Sequence, residues 1–440
     1  MQQLLRIETE LLRQLKQLVR WAKSEDKIMA VVKPFKGIRP RPDLASRIAA
    51  LPYDVYNREE AKQVVAKEPL SFLKIDRAET QFADNVSTYD PCVYEKASEM
   101  LEEMIADGSF IQDAKECYYL YELTMNGKSQ TGIVGRASID DYDNNIIMKH
   151  ENTRAEKERD RINHVDKLDA QTGPIFLAYH EDVTLKSIIE ATKKTDSEYD
   201  FISDDGIRHR VWKIADEMTV KQIVAAFNDI NSIYIADGHH RCASAVKVGK
   251  KRRSEKPNFT GEEDFNFFLS VLFQDSELYI MDYNRAIKDL NGLSEAEFMA
   301  RVQERFNIST ALEKTVSPDC KGCFGMYFDG KWYRLDIKDE YRNDDPVKGL
   351  DVSLLQDNLL QPVLGIDDPK VDDRIDFIGG IRGLEELEKR VGHDCKVAFS
   401  MYPTSIQELF DVADANKLMP PKSTWFEPKL RSGLFIHKLS

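Results

Sequence analysis

Apolar positions recur at helical spacing from the start of the chain. Leu4, Leu11, Leu15, Leu18 and Trp21, with Leu5, Leu12, Val19 and Ala22 beside them, form one stripe, and charged residues fill the other face. The spacing predicts an amphipathic helix over residues 1–28. It would dock on the body or on a partner, or be an extension ahead of a start at Met29. From Met29 the pattern changes to strand and turn. Val31 to Phe35 reads as a short strand, Pro40, Pro42 and Leu51 to Asn57 as rigid loops, and Arg58 to Ala66 and Tyr94 to Asp107 as helices. Tyr118 to Leu123 and Gln130 to Ser138 predict a hairpin turning at Asn126-Gly127.

A charged helix begins near Thr153, and Pro174 to Tyr179 is apolar and strand-like. Ser232 to Ala236 is a strand that runs straight into a helix. Phe265 to Phe273 is mainly apolar and reads as a buried strand. Further on come a helix near Ser294 to Arg305, a hairpin of Cys323 to Phe328 and Lys331 to Leu335 around Asp329-Gly330, and a strand at Lys396 to Tyr402. Helices and strands interleave with no internal repeat and no low-complexity segment. The fold class expected is α+β, a mixed α/β chain in four blocks: 1–28, 29–117, 118–275 and 276–440.

Composition narrows the partners. The chain has 440 residues, enough for two or three domains, and at 42% hydrophobic and 31% charged it can bury a core, which excludes global disorder. A net charge of −14 makes the whole surface a poor partner for nucleic acid or an anionic membrane, and leaves room for a local basic site. The longest apolar stretch, Phe265 to Phe273, is interrupted by Asn266 and Ser270 and is far short of the roughly 20 residues of a membrane span. No apolar signal core precedes it. Six thinly spread cysteines fit a reducing cytoplasm, the expected location.

The strongest chemical signal is SIYIADGHHRCASAVKV, Ser232 to Val248. A strand ends, Asp237-Gly238 turns, and a helix starts near His239. Unpaired N–H groups at a helix N-terminus stabilise an anion, and Gly238 lets a ligand approach the backbone. His239, His240 and Arg241 place up to three cationic donors where they oppose the helix dipole, which a bound phosphate would account for. Asp237 is a candidate N-cap, metal ligand or base. The bland alternative is a capped helix whose histidines pack or face solvent.

Two more stretches add to it. In Lys149 to Leu168, Thr153 and Glu156 match a capping box, and Thr153, Lys157 and Arg161 share a helix face. Most charges there read as solvated ion pairs. Glu151, just ahead of the helix, could act as general base or hold Mg²⁺. In LMPPKSTWFEPKL, Leu418 to Leu430, prolines stiffen a loop bearing the phosphate-type donors Lys422, Ser423, Thr424 and Lys429. Cys320 and Cys323 form a lone CxxC, short of the four ligands of structural zinc. Lys250, Lys251, Arg252 and Arg253 read as a solvated helix end. No P-loop, no G-x-G-x-x-G after a strand and no G-x-S-x-G elbow occurs.

IADGHHRCASA, HENTRAEKERDR followed by QTGPIF, and MPPKSTWFEPK, together with LPYDVYN and LLQPVLGI, resemble the bacterial and archaeal family known as domain of unknown function 1015, over about Met29 to Leu439. The DGHHR element also resembles the phosphate-binding turn of the ParB/sulfiredoxin superfamily, which includes free-serine kinases, CTP-using ParB proteins and sulfiredoxins. The resemblance implies a ParB/sulfiredoxin-like central core with flanking α/β regions. It also implies nucleotide phosphates held by Asp237, Gly238, His239, His240 and Arg241, and a glutamate base, placed on Glu151. Where sulfiredoxin has its catalytic cysteine this chain has Gly238, and Cys242 comes after Arg241, which argues against that reaction.

The expectation is phosphoryl transfer, in either direction, to or from a small hydroxylated metabolite, free L-serine or O-phosphoserine. Glu151, Asp237 and His240 are the catalytic candidates. Gly238, His239, His240, Arg241, Lys157, Arg161, Lys422, Ser423, Thr424 and Lys429 would bind ATP or ADP through its phosphates. Mg²⁺ would sit on Glu151 and Asp237. The rivals are a ParB-like, nucleotide-dependent DNA-binding protein relying on Lys250 to Arg253, and a scaffold acting through the helix at 1–28. No membrane partner is expected, nucleic acid is disfavoured, and an oligomer is compatible with the sequence.

Overall fold

The structure, a computed structural model, describes residues 29–153, 155–312 and 314–440, so the helix expected over 1–28 lies outside the described residues. The fold is α+β. Its central sheet has nine strands: β1 (Val32–Lys33), β2 (Tyr118–Met125), β3 (Lys128–Ser138), β4 (Ile147–Met148), β5 (Ile175–Tyr179), β6 (Tyr199–Ile202), β7 (Arg208–Ile214), β8 (Ile233–Asp237) and β9 (Phe267–Gln274). Neighbours run β4-β8-β5-β9-β3-β2-β7-β6, with β1 beside β3. The β8–β4 and β9–β5 pairs are parallel and the rest antiparallel.

The β2–β3 hairpin turns where expected. Asn126 and Gly127 both take positive φ, 50° and 78°, as a two-residue turn matched to strand twist requires. β9 is buried along its whole length because both sheet faces are covered. Leu269, Val271 and Phe273 join one apolar cluster, while Phe268 and Leu272 join another on the opposite face, the period of two that a strand imposes.

Three helices frame the candidate site: α1 (Pro91–Ala106), α2 (Ala155–Leu168) and α3 (His239–Glu255). α3 lays Cys242, Ala245 and Val246 on the central sheet. α2 runs against it, with the Ser244 hydroxyl donating to the Glu158 carbonyl at 3.1 Å and Lys247 paired with the Glu158 carboxylate. Among the described residues no Thr153–Glu156 capping-box hydrogen bond forms. Thr153 donates instead to Glu158 Oε2 at 2.7 Å, because Glu158 is drawn in by Lys247. The four cations Lys250 to Arg253 are each paired with a carboxylate, on Asp143, Asp166, Asp169 or Asp140.

A second sheet, wholly antiparallel, consists of β10 (Tyr283–Ile287), β11 (Phe306–Leu312), β12 (Cys323–Phe328), β13 (Lys331–Ile337), β14 (Ile375–Gly379) and β15 (Val397–Ser400), in the order β11-β13-β12-β15-β10-β14. The chain then returns to the first sheet's side. Trp425–Phe426 pairs with Ile280–Met281, Ile436 bridges Ile38, and His437–Lys438 pairs with Ala170–Gln171. This return brings the proline-rich loop over the start of α3.

Candidate functional site

The site grows from the end of β8. The register between β8 and β5 slips between Ile235 and Asp237, a bulge that re-aims the strand end. Gly238 follows in the left-handed region, φ 93° and ψ 30°, as the N-cap residue with no side-chain cap. Asp237 is therefore not the helix cap. Its Oδ1 accepts the Gly238 N–H at 2.8 Å, and its Oδ2 lies 3.1 Å from Lys429 Nζ. The first intrahelical bond is Cys242 N–H to Gly238 O, at 2.9 Å. The N–H groups of His239, His240 and Arg241 precede it and point out of the helix end. Gly238 is needed here twice over: a Cβ would take an unfavourable φ and fall 3.1 to 3.3 Å from the Arg241 guanidinium.

Charge is organised around that helix end. Burial works against the Asp237 carboxylate, but Lys429 and Arg241 outweigh it and hold its pKa well below the usual range. Burial likewise opposes the Lys429 ammonium, and Asp237 and Glu427 outweigh it, so its pKa is raised. Lys429 also sits 4.9 Å over the Trp425 ring. Glu427 fixes this loop: its carboxylate accepts from Trp425 Nε1 at 2.9 Å and from the Lys429 backbone N–H at 3.1 Å. Arg241 donates to the Pro174 carbonyl at 2.6 Å.

The histidines differ from expectation. Burial pushes His239 down to about 4 and His150 to about 3, and lowers His240 as well. They stand neutral at pH 7, so of the three donors expected to be cationic only Arg241 carries charge. His150 meets His239 edge-to-face, with ring centroids 4.6 Å apart. Both ring nitrogens of His150, Nε2 of His239 and Nδ1 of His240 are buried without a hydrogen-bond partner among the described residues. Buried polar atoms left open in this way want a partner the protein does not supply.

Other expected residues divide. Glu151 stands close enough to His150, His240 and Tyr283 for its charge to bear on all three. Lys157 bears on His240, and Lys422 sits 5.5 Å over the Tyr283 ring. Ser423 is turned away: it is buried, and its hydroxyl donates to the Pro420 carbonyl at 2.7 Å, because the loop closes a tight turn there. Arg161 is engaged by Asp160 at 2.8 Å and stacks 3.9 Å from the Tyr53 ring. Thr424, half-buried, makes no side-chain hydrogen bond among the described residues. With Asp237 engaged by Lys429, Glu151 is the carboxylate left open for a metal. A magnesium ion fits one carboxylate plus a ligand's phosphates, a common arrangement for that ion.

Three participants were not singled out from sequence as site residues. His150 opens a quoted motif, but its burial against His239 is a tertiary fact. Glu427 and Trp425 sat inside a quoted motif, where their role of aiming Lys429 needs the loop's path. The CxxC sits with Asp319 near Cys320, and these three are the metal-type grouping found among the described residues. Arg334 donates to Asp319 at 2.9 Å and occupies that cluster.

A family model described as "Protein of unknown function (DUF1015)" matches residues 32–353. No curated protein matches the chain. Similar solved structures include a free serine kinase in complex with AMP, at 12% identity and TM-score 0.33, covering 67% of this chain and 86% of that one. A variant free serine kinase in complex with ADP aligns at 14% identity and TM-score 0.33, over 68% of this chain and 88% of that one. SbnI with C-terminal truncation from Staphylococcus aureus aligns at 10% identity and TM-score 0.35, over 67% and 82%.

Proposed function

The chain belongs to the DUF1015 family of proteins of unknown function, and from that premise we propose that it is a phosphoryl-transfer enzyme. In this reading a nucleotide's phosphates bind at the N-terminus of α3, and the partner substrate is a small hydroxylated metabolite, free L-serine or O-phosphoserine. One observation carries the proposal: an uncapped helix N-terminus at a left-handed glycine, ringed by buried imidazole nitrogens without partners and by Arg241 and Lys429.

The chemistry follows from positioning and charge neutralisation. The N–H groups of His239 to Arg241 would receive the phosphate oxygens. Arg241, Lys429 and Lys422 would offset their charge. The neutral imidazoles of His239 and His240 would donate or accept without adding charge. Glu151 would take the proton of the attacking hydroxyl as its oxygen bonds to phosphorus and the bond to the nucleotide's bridging oxygen breaks. In reverse, a terminal phosphate oxygen of the nucleotide bonds to phosphorus, the bond to the serine oxygen breaks, and Glu151 returns the proton to that oxygen. Mg²⁺, when bound, would supply further charge neutralisation on the phosphates, held by Glu151.

The test is direct. Purified full chain, Mg²⁺, and ATP or ADP are combined with L-serine or O-phosphoserine and followed by ³¹P NMR. Phosphoserine is expected to form or to be consumed. If neither occurs with either nucleotide, the substrate assignment fails. His240→Ala and Arg241→Ala are expected to abolish nucleotide binding while the fold persists.

A further inference from the structure

Beside the α3 end the structure holds a second chamber. A cavity of about 260 Å³ opens between α1 and α2, beneath the loop of residues 51–57. A smaller pocket shares Tyr53, Asp76, Arg161 and His164 with it and extends to Arg241, at the start of α3. We infer that this chamber binds a small zwitterion, an amino acid whose ammonium meets Asp76 and whose carboxylate meets Arg161 and Lys157. The inference rests on the reading of α3 as the phosphate site, and makes this zwitterion the phosphoryl acceptor.

Asp76 is the central observation. It is 5% exposed and lines both spaces. Its Oδ1 takes the Thr172 hydroxyl at 3.1 Å, while Oδ2 receives no hydrogen bond from the described residues. Arg161 bears on Asp76 electrostatically and His164 Nε2 lies 4.0 Å from Oδ1, but no donor among the described residues bonds Oδ2, and a buried carboxylate oxygen left open favours a further cation. Tyr53, Tyr89 and Tyr94 line the same cavity, and aromatic faces favour an ammonium group.

The remaining charges set the ligand's other end. Glu79 is engaged by Arg77 at 2.5 Å, and Asp160 by Arg161 and by the Tyr94 hydroxyl at 2.8 Å. His164 is held neutral, pushed down to about 4 by burial and by Arg161. Asp54 and Lys157, both exposed at the rim, make no side-chain hydrogen bond among the described residues, and Arg161 Nη1 is likewise open. Asp54 and the open oxygen of Asp76, in one cavity with Lys157 and the open Nη1 of Arg161, suit a zwitterion. A polyphosphate would meet these two carboxylates, whereas at α3 Asp237 is already paired with Lys429 and the unbonded N–H groups of the helix end adjoin Arg241, so it belongs there. Asp54 also bears on His240 and Lys429, which places the chamber's mouth against that helix end.

Calorimetric titration of the full chain tests this, without nucleotide and again with saturating ADP. The probes are L-serine, L-threonine and L-homoserine, with D-glycerate lacking the ammonium, ethanolamine lacking the carboxylate, and adenosine. At least one amino acid is expected to bind, and glycerate and ethanolamine to bind at least about tenfold more weakly, the worth of a charged hydrogen bond. Asp76→Asn should weaken the amino acid by a similar factor and leave ADP affinity unchanged. Asp54→Asn, at an exposed position that cannot cost the fold, should weaken it several-fold. The inference is overturned if no amino acid binds, if glycerate matches it, if both variants bind as the parent does, or if adenosine displaces it. Loss of ADP binding alone would instead sink the α3 reading, since the nucleotide-free titrations stand without it.

Discussion

Gly238→Ala puts the α3 end under a graded strain. The residue would have to hold φ 93°, which costs a non-glycine residue about 1–2 kcal/mol. The new methyl would also lie 3.1 Å from Arg241 Nη2 and 3.2 Å from Nε, tighter than carbon normally approaches. The guanidinium must shift, and its 2.6 Å bond to the Pro174 carbonyl stretches or breaks. A hydrogen bond from a charged group is worth about 1.5–3 kcal/mol, so moving Arg241 off a phosphate should raise the ADP dissociation constant about 10- to 100-fold. Gly383→Ala supplies the control, because Gly383 has φ 73° with nothing within 4 Å of its would-be Cβ. Its backbone, at φ 73° and ψ 167°, also strains a non-glycine residue, with no side chain for the new methyl to displace. Calorimetric ADP titrations and thermal melts on both variants separate the effects. Both should melt lower, and only Gly238→Ala should lose ADP. If the two lose melting temperature alike and ADP affinity stays at the parent value in both, the phosphate assignment at α3 is wrong.

Burial pushes His150, His209 and His437 down to about 3 and His164 and His239 to about 4, from an ordinary 6.5. Below pH 6.5 the unfolded chain binds protons the folded one refuses, so stability is full above that pH and falls as pH drops toward 4; a melting temperature equal at pH 7.5 and pH 5 would contradict this. Asp141, pushed up to about 7 by burial and by Asp140 despite accepting the Val31 N–H at 2.6 Å, has the opposite sign. Its contribution fades as pH rises toward 7, so Asp141→Asn should gain melting temperature relative to the parent between pH 5 and pH 8, and a pH-independent difference refutes it. Phe273→Ala, which empties a fully buried position 4.5 Å from the Phe176 ring, should cost about 3–5 kcal/mol in urea unfolding, and a loss under about 1 kcal/mol would mean the core closes over it.

Local chemistry was readable at the tight turns and at the start of α3, but not at Thr153, whose hydroxyl goes to Glu158. Asp329 and Gly330 take φ 48° and 72°, as their identities imply, and the Ser294 capping box opens a helix at Glu295. The strand-turn-helix at Ile233 to His239 also appears where the apolar run and the glycine placed it. The charge state of His239 and His240 was not readable, because their pKa depends on what covers them. His150 closes over one of them from 89 residues earlier in the chain. Ser423 has the chemistry of a phosphate donor, and a turn to Pro420 takes its hydroxyl away. Lys250 to Arg253 read as a solvated helix end, and carboxylates from two other helices and a loop pair with all four.

The sequence by itself determined the family, the α+β class, the turns and the three stretches that carry the candidate chemistry, since each depends on residue type and near spacing. The tertiary structure decided which of those groups share a space. Lys429 reaches Asp237 across 192 positions of chain, and Asp76 and Arg241 line one pocket whose walls come from segments spread between Pro52 and Ser432. Electrostatics and desolvation act through distance in space, and distance in space between remote segments is set only once the sheets pack and the C-terminal segment returns over them.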